Sequence, residues 1–155
     1  MPERLKYTGT SIVMQEVPDE VSLAISISGC THRCEGCHSS YLWENKGRYL
    51  TDDIIEIVTY HIGLVTCICF MGGDQNIEEL NECIDIAHNK DFKCCVYLGC
   101  DEIPQGLRTV DYLKIGHYDK KYGGLDNPNT NQRMYKWTDG KYIDITERFY
   151  NVKNL

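Results

Sequence analysis

Leu23-Ala24-Ile25-Ser26-Ile27-Ser28-Gly29-Cys30-Thr31-His32-Arg33-Cys34-Glu35-Gly36-Cys37 decides how the chain is read. The first six residues are an apolar run of strand length that Gly29 ends, and three cysteines follow in the order Cys-x3-Cys-x2-Cys. Three thiolates at that spacing can reach three irons of one [4Fe-4S] cube, and no other cysteine lies close enough in sequence to complete the set. The fourth iron would be left open for a ligand, which makes Cys30, Cys34 and Cys37 the expected metal ligands.

On either side, short apolar runs alternate with helical patterns, which argues for parallel strands covered by helices. The first strand is expected over Leu23–Ser28. Thr51 is expected to cap a helix with Asp52 and Asp53 in its first turn, an apolar face of Ile54, Ile55, Ile57, Val58 and Ile62, and a stop at Gly63. Val65–Met71 is apolar on both faces, as a buried parallel strand should be, and runs into Gly72-Gly73-Asp74. Asn76 with Glu79 makes a capping-box-like start for a helix carrying Ile77, Leu80, Cys83, Ile84 and Ala87 and ending near Asn89. Phe92–Leu98 and Val110–Ile115 read as further strands, ending at Gly99 and Gly116. Asp139-Gly140 between two strand-like runs signals a hairpin. Four or five parallel strands are too few to close an eight-stranded barrel. The expected fold is therefore α/β, a single domain over residues 1–155: an open or partial (β/α) barrel of parallel strands with helices outside and a short C-terminal β-hairpin.

With 155 residues the chain can bury roughly 68 to 70 % of its unfolded surface, enough for one core. Its net charge is −7, from 16 basic and 23 acidic residues, and no basic cluster exceeds the pair Lys120-Lys121. The electrostatic footprint of nucleic acid binding is missing, so no nucleic acid partner is expected. No run approaches the ~20 apolar residues that span a bilayer, nor does the N-terminus read as a signal peptide, so no membrane association is expected and the chain reads as soluble and cytoplasmic. Nine cysteines, an odd number, are then poor material for a disulfide framework. Cys67, Cys69, Cys83, Cys94 and Cys95 fall on apolar positions and read as small core hydrophobes, with Cys100 at a strand end. His61, His88 and His117 show no ligand spacing.

In parallel α/β folds ligands sit beyond the C-terminal ends of the strands, and the cysteine segment, Gly72-Gly73-Asp74, Gly99 and the Gly116 segment all fall at such ends. At these residues the chain resembles the radical S-adenosylmethionine enzymes, and its length resembles the activating proteins of anaerobic ribonucleoside-triphosphate reductase. Ser28-Gly29-Cys30-Thr31-His32-Arg33-Cys34-Glu35-Gly36-Cys37 is similar to the cluster loop of those activases, and Phe70-Met71-Gly72-Gly73-Asp74 to their second rim motif. Gly123-Gly124-Leu125-Asp126 and Thr130-Asn131-Gln132-Arg133 are similar to their late segment. The chain departs from that pattern at Glu16–Val21, where many activases carry Gly-Pro-Gly-x-Arg, and at His38-Ser39, where an aromatic residue and Asn are common.

The resemblance implies that a [4Fe-4S] cluster on Cys30, Cys34 and Cys37 binds the amino and carboxylate groups of S-adenosyl-L-methionine at its open iron. Gly72, Gly73 and Asp74 would accept from the amino group, and Gly36 and His38 would lie beside the adenine or ribose. Lys114, Gly116, Asn131, Gln132 and Arg133 would contact the cofactor or the partner. Reductive cleavage would give a 5'-deoxyadenosyl radical that removes hydrogen from a glycine of the large glycyl-radical subunit of anaerobic ribonucleotide reductase. A one-electron donor such as a flavodoxin would reduce the cluster, and no protein acid or base is required. The alternatives are activation of another glycyl radical enzyme such as a formate lyase, small-molecule chemistry like that of a deazapurine synthase, a structural zinc module built on the same cysteines with His32 or His38, and simple electron transfer.

Overall fold

The structure, a computed structural model, describes residues 3–29 and 46–151. Among these, eight strands form one mixed sheet: β1 (Lys6–Val13), β2 (Ser22–Ile27), β3 (Arg48–Tyr49), β4 (Cys67–Met71), β5 (Lys93–Tyr97), β6 (Tyr112–Ile115), β7 (Arg133–Thr138) and β8 (Lys141–Asp144). The spatial order is β3-β1-β2-β4-β5-β6-β7-β8. The four central strands β2, β4, β5 and β6 are parallel, and the outer pairings are antiparallel. β3 and β8 are the two edges, so the sheet is open. The helices are α1 (Leu50–Tyr60), α2 (Ile77–Asn89) and the short α3 (Arg148–Asn151).

Parallel strands need cover on both faces, and their side chains divide accordingly. Leu23, Ile25 and Ile27 of β2, Ile68 and Phe70 of β4, Cys94 and Val96 of β5, and Leu113 and Ile115 of β6 pack with Leu50, Ile54 and Val58 of α1 and Leu80, Cys83, Ile84 and Ala87 of α2. The alternate residues Cys67, Cys69, Cys95, Tyr112 and Met134 form a second cluster with Val17, against which Leu125, Ile145 and Phe149 pack. Cys67, Cys69, Cys83, Cys94 and Cys95 are free and buried, as their apolar positions imply. Burial pushes the thiols of Cys67, Cys83, Cys94 and Cys95 up in pKa, which keeps them protonated and inert.

Several expectations need correction. The run around Leu23 is the second strand, because Lys6–Val13, polar and without an apolar period, precedes it and pairs with it antiparallel. Thr51 is not the helix cap. Tyr49 occupies that position with no side-chain cap, and the first helical N–H, that of Leu50, goes instead to the Leu5 carbonyl at 3.0 Å. Thr51 instead accepts from Arg4 at 3.0 Å. The face of α1 is narrower than expected: Ile55 and Ile62 are 58% and 57% exposed, and the helix stops at Tyr60, before Gly63. Among the described residues cover by helices is also incomplete, because the β5–β6 crossover contains no helix and both long helices lie on one face. The N-cap half of the capping box holds, with the Asn76 side chain accepting from Glu79 N–H at 3.2 Å; the Glu79 carboxylate accepts from the Asn76 side chain at 3.2 Å, while the Asn76 backbone N–H goes to the Gly73 carbonyl at 3.1 Å. The hairpin also holds, with Asp139 and Gly140 both at positive φ and Thr138 paired with Lys141.

One charged group ties β1, β3 and α1 together. Asp53 accepts from Arg48 Nε at 2.6 Å and Nη2 at 3.1 Å, and from the Tyr7 hydroxyl at 2.7 Å. The Arg48 hydrogen bond, then that of Tyr7, hold its carboxyl down at about 2. A depressed carboxylate contributes stability above its unfolded pKa of about 3.9, and that contribution fades as pH falls towards the folded value. Asp53→Asn is expected to lower the stability at neutral pH by about 1 kcal/mol, the Arg48 end being largely exposed. It should also flatten the loss of melting temperature between about pH 4 and pH 2. Thermal melts across that range compare the two chains, and parallel curves would show that Asp53 does not act this way.

Candidate functional site

The C-terminal ends of the four parallel strands form a rim joined by hydrogen bonds that run from one strand end to the next. Gln75 Nε2 donates to the Ser28 carbonyl at 2.7 Å, linking the turn after β4 to the end of β2. Gly72 N–H donates to the Tyr97 carbonyl at 2.9 Å, linking β4 to β5. Lys114 Nζ donates to the carbonyls of Leu98 at 3.3 Å and Gly116 at 3.0 Å, and Gly116 N–H donates to Cys100 at 2.6 Å, linking β5 to β6. Gln132 Nε2 adds a donor to the Gly116 carbonyl at 3.3 Å, and Asn131 Nδ2 donates to His117 at 3.2 Å, bringing in the late segment.

The structure thus brings together Gly72, Gly73, Asp74, Lys114, Gly116, Asn131 and Gln132. Gly72 and Gly73 have φ of 116° and 110°, a conformation that L side chains rarely adopt. A Cβ on Gly72 would stand 3.2 Å from the Ile27 carbonyl, and one on Gly73 3.1 Å from a Leu80 methyl, so this turn is pressed against β2 and α2. The Gly73 carbonyl accepts from Asn76 N–H at 3.1 Å. Asp74 and Lys114 both act on Cys100, whose thiol is raised first by burial and then by the Asp74 charge, with Lys114 opposing. Arg133 stands apart from this group: on β7, 45% exposed, it is ion-paired with Asp144 at 3.6 Å. Cys30, Cys34, Cys37, Gly36, His38 and His32 lie outside the described residues.

Two buried acceptors on the rim have no hydrogen-bond partner among the described residues, Gln75 Oε1 and Asn131 Oδ1. An ammonium, hydroxyl or amide donor of a ligand would satisfy either one. The three described histidines are otherwise engaged: His61 Nδ1 meets the Ile57 carbonyl at 2.7 Å, His88 Nε2 lies 3.0 Å from Asp111 and His117 Nδ1 2.7 Å from Asp101. No group of three or more His, Cys, Asp or Glu able to hold a metal exists among the described residues. Two recesses of about 310 and 420 Å³ lie beside α1 and β3. No helix among the described residues is long and apolar enough to cross a membrane. Sequence reading missed Gln75 and the lock around Ser28; the only signal was their adjacency to motif residues.

No family model matches the chain, and no solved structure matches it. It is similar to the anaerobic ribonucleoside-triphosphate reductase-activating protein of Enterobacteria phage T4, with 26% identity over 133 residues, covering 76% of this chain and 85% of that protein. That similarity agrees with the resemblance carried by the cysteine spacing and the Gly-Gly-Asp turn.

Proposed function

We propose that the chain is a radical S-adenosylmethionine activase that generates a glycyl radical on an anaerobic ribonucleotide reductase. The observation that carries this reading is the Cys-x3-Cys-x2-Cys segment, which follows in sequence the end of β2 that Gln75 joins to the Gly72-Gly73-Asp74 turn, in a chain similar to a protein named as such a reductase's activator. Cys30, Cys34 and Cys37, three soft thiolate donors, would hold a [4Fe-4S] cluster. The two unpartnered acceptors on the rim, together with Asp74, fit a ligand rich in hydrogen-bond donors, as S-adenosyl-L-methionine is.

Bound together, cluster and S-adenosylmethionine supply one-electron cleavage of the sulfonium and hydrogen abstraction from glycine. The chain's own residues bind, orient and exclude water. Gly72, Gly73 and Asp74 would face the methionyl amino group, and Gly36 and His38 the adenosine. Lys114 and Gln132, both donors to the Gly116 carbonyl, would hold the β6 end of the rim in place for cofactor or partner, with Asn131 beside them. Arg133, on the outer surface, would serve a partner contact. A one-electron donor such as a flavodoxin would reduce the cluster.

Mixing the anaerobically reconstituted, reduced protein and S-adenosylmethionine with the large reductase subunit should yield 5'-deoxyadenosine and a glycyl doublet in electron paramagnetic resonance. A doublet only with a formate lyase would move the activity to that partner, and absence of 5'-deoxyadenosine would sink the radical mechanism. Cys30→Ala, Cys34→Ala and Cys37→Ala should each abolish S-adenosylmethionine cleavage. Cys83→Ala, at a fully buried position on α2, should leave cleavage intact and cost about 1 kcal/mol of stability. Equal loss of cleavage in Cys83→Ala would show that the core thiols had been misassigned.

A further inference from the structure

One serine holds both ends of the segment that carries the three cysteines. Ser28 is fully buried. Its N–H donates to the Lys6 carbonyl at 2.9 Å, and its carbonyl accepts from Gln75 Nε2 at 2.7 Å. Its hydroxyl oxygen lies 2.5 Å from the Lys46 carbonyl and 3.2 Å from that of Lys6, and it accepts from Lys46 N–H at 3.0 Å. A hydroxyl has one proton to give. The nearer Lys46 carbonyl takes it, so Ser28 and Lys46 exchange two hydrogen bonds across 18 positions of sequence. The next residue, Gly47, has φ of 112°, and a Cβ there would lie 2.0 Å from the Tyr7 carbonyl oxygen, so only glycine lets the returning chain lie this close to β1.

β1, the turn after β4 and both ends of the cysteine segment therefore meet at Ser28, and every polar group of that residue is engaged. Among the described residues Gln75 is held at its donor end alone, its Oε1 having no partner there. We propose that Ser28 and Gln75 are positioning residues: the Ser28 hydroxyl closes the neck of the cysteine segment and the Gln75 carboxamide fixes that neck to the Gly-Gly-Asp turn, so that the thiolates are presented as a set to a metal centre. The proposal rests on the reading of Cys30, Cys34 and Cys37 as cluster ligands. Without the hydroxyl, the Lys46 N–H and carbonyl lose their partner and the two ends are free to separate. Groups that orient ligands from behind typically change metal affinity 10- to 100-fold, about the scale expected here.

The test compares the wild-type chain with Ser28→Ala, Ser28→Thr and Gln75→Glu, the last an isosteric change that sets an acceptor against the Ser28 carbonyl. Each is reconstituted anaerobically, and the rate of iron release to a chelator is measured beside the thermal melt of the cluster-free chain and its tryptic cleavage after Arg33. Ser28→Ala and Gln75→Glu should release iron about tenfold faster or more. Ser28→Thr, which keeps the hydroxyl, should stay near wild type, and the melts should change little. In the cluster-free chain, Ser28→Ala should be cut faster after Arg33. Unchanged release and cleavage in both variants, or changes that follow a collapse of the melt, would overturn the proposal. A wild-type chain that binds no iron would instead remove the cluster reading, and the cleavage arm would still decide whether Ser28 closes the neck.

Discussion

Four parallel strands side by side expose two apolar faces, and the need to cover both governs the rest of the molecule. β4 shows the constraint most directly: Ile68 and Phe70 face the helices while Cys67 and Cys69 face away, and all four are fully buried. α1 and α2 cover one face. On the other, where no long helix packs among the described residues, the interior is filled with small or soft side chains, Cys67, Cys69, Cys95 and Met134, around Tyr112, closed by Val17 and Phe149 from distant parts of the chain. Thiols suit this place, since they pack as small hydrophobes. The cysteines of this chain accordingly divide into five that fill the core and three expected to do chemistry, with Cys100 at the rim.

Parallel alignment also puts every strand's C-terminal end on one side, so loops far apart in sequence meet there. The rim is held less by the loops' own turns than by polar groups reaching across: Lys114 to two carbonyls, Gln132 to a carbonyl that Lys114 also engages, Gln75 to Ser28. Such a network is rigid because each buried carbonyl would otherwise go unpaired, at a cost of about 1–3 kcal/mol. A rigid rim with buried acceptors left over at Gln75 and Asn131 is the arrangement expected of a site completed by something bound. Binding and orientation are what a fold must supply when a cofactor carries the reaction.

Signals that act over a few residues were legible in the sequence. Asn76 caps α2 because its side chain needs only the N–H three residues on, and Asp139-Gly140 turns the hairpin because both residues take positive φ. The parallel strands were legible as runs apolar on both faces, and with them the placing of Gly72-Gly73-Asp74 and Gly116 at strand ends. β1 was not, because an outer strand with a polar sequence carries no period and is a strand only by virtue of pairing with β2. Thr51 misled for the same reason: its position fits a cap, but the pairing of β3 with β1 starts the helix at Leu50 and turns the Thr51 hydroxyl towards Arg4.

By itself, the sequence determined the α/β class, the core role of five cysteines and the three candidate ligands, because each rests on residue type and short spacing. Only the tertiary structure decided that Ser28 joins Lys46, Gln75 and Lys6, that Lys114 and Gln132 share the Gly116 carbonyl, and that Arg133 turns away to Asp144. Hydrogen bonds form between groups that the fold brings within about 3 Å. Residues 18 or 47 positions apart, as Lys46 and Gln75 are from Ser28, leave no periodic trace of that meeting in the chain.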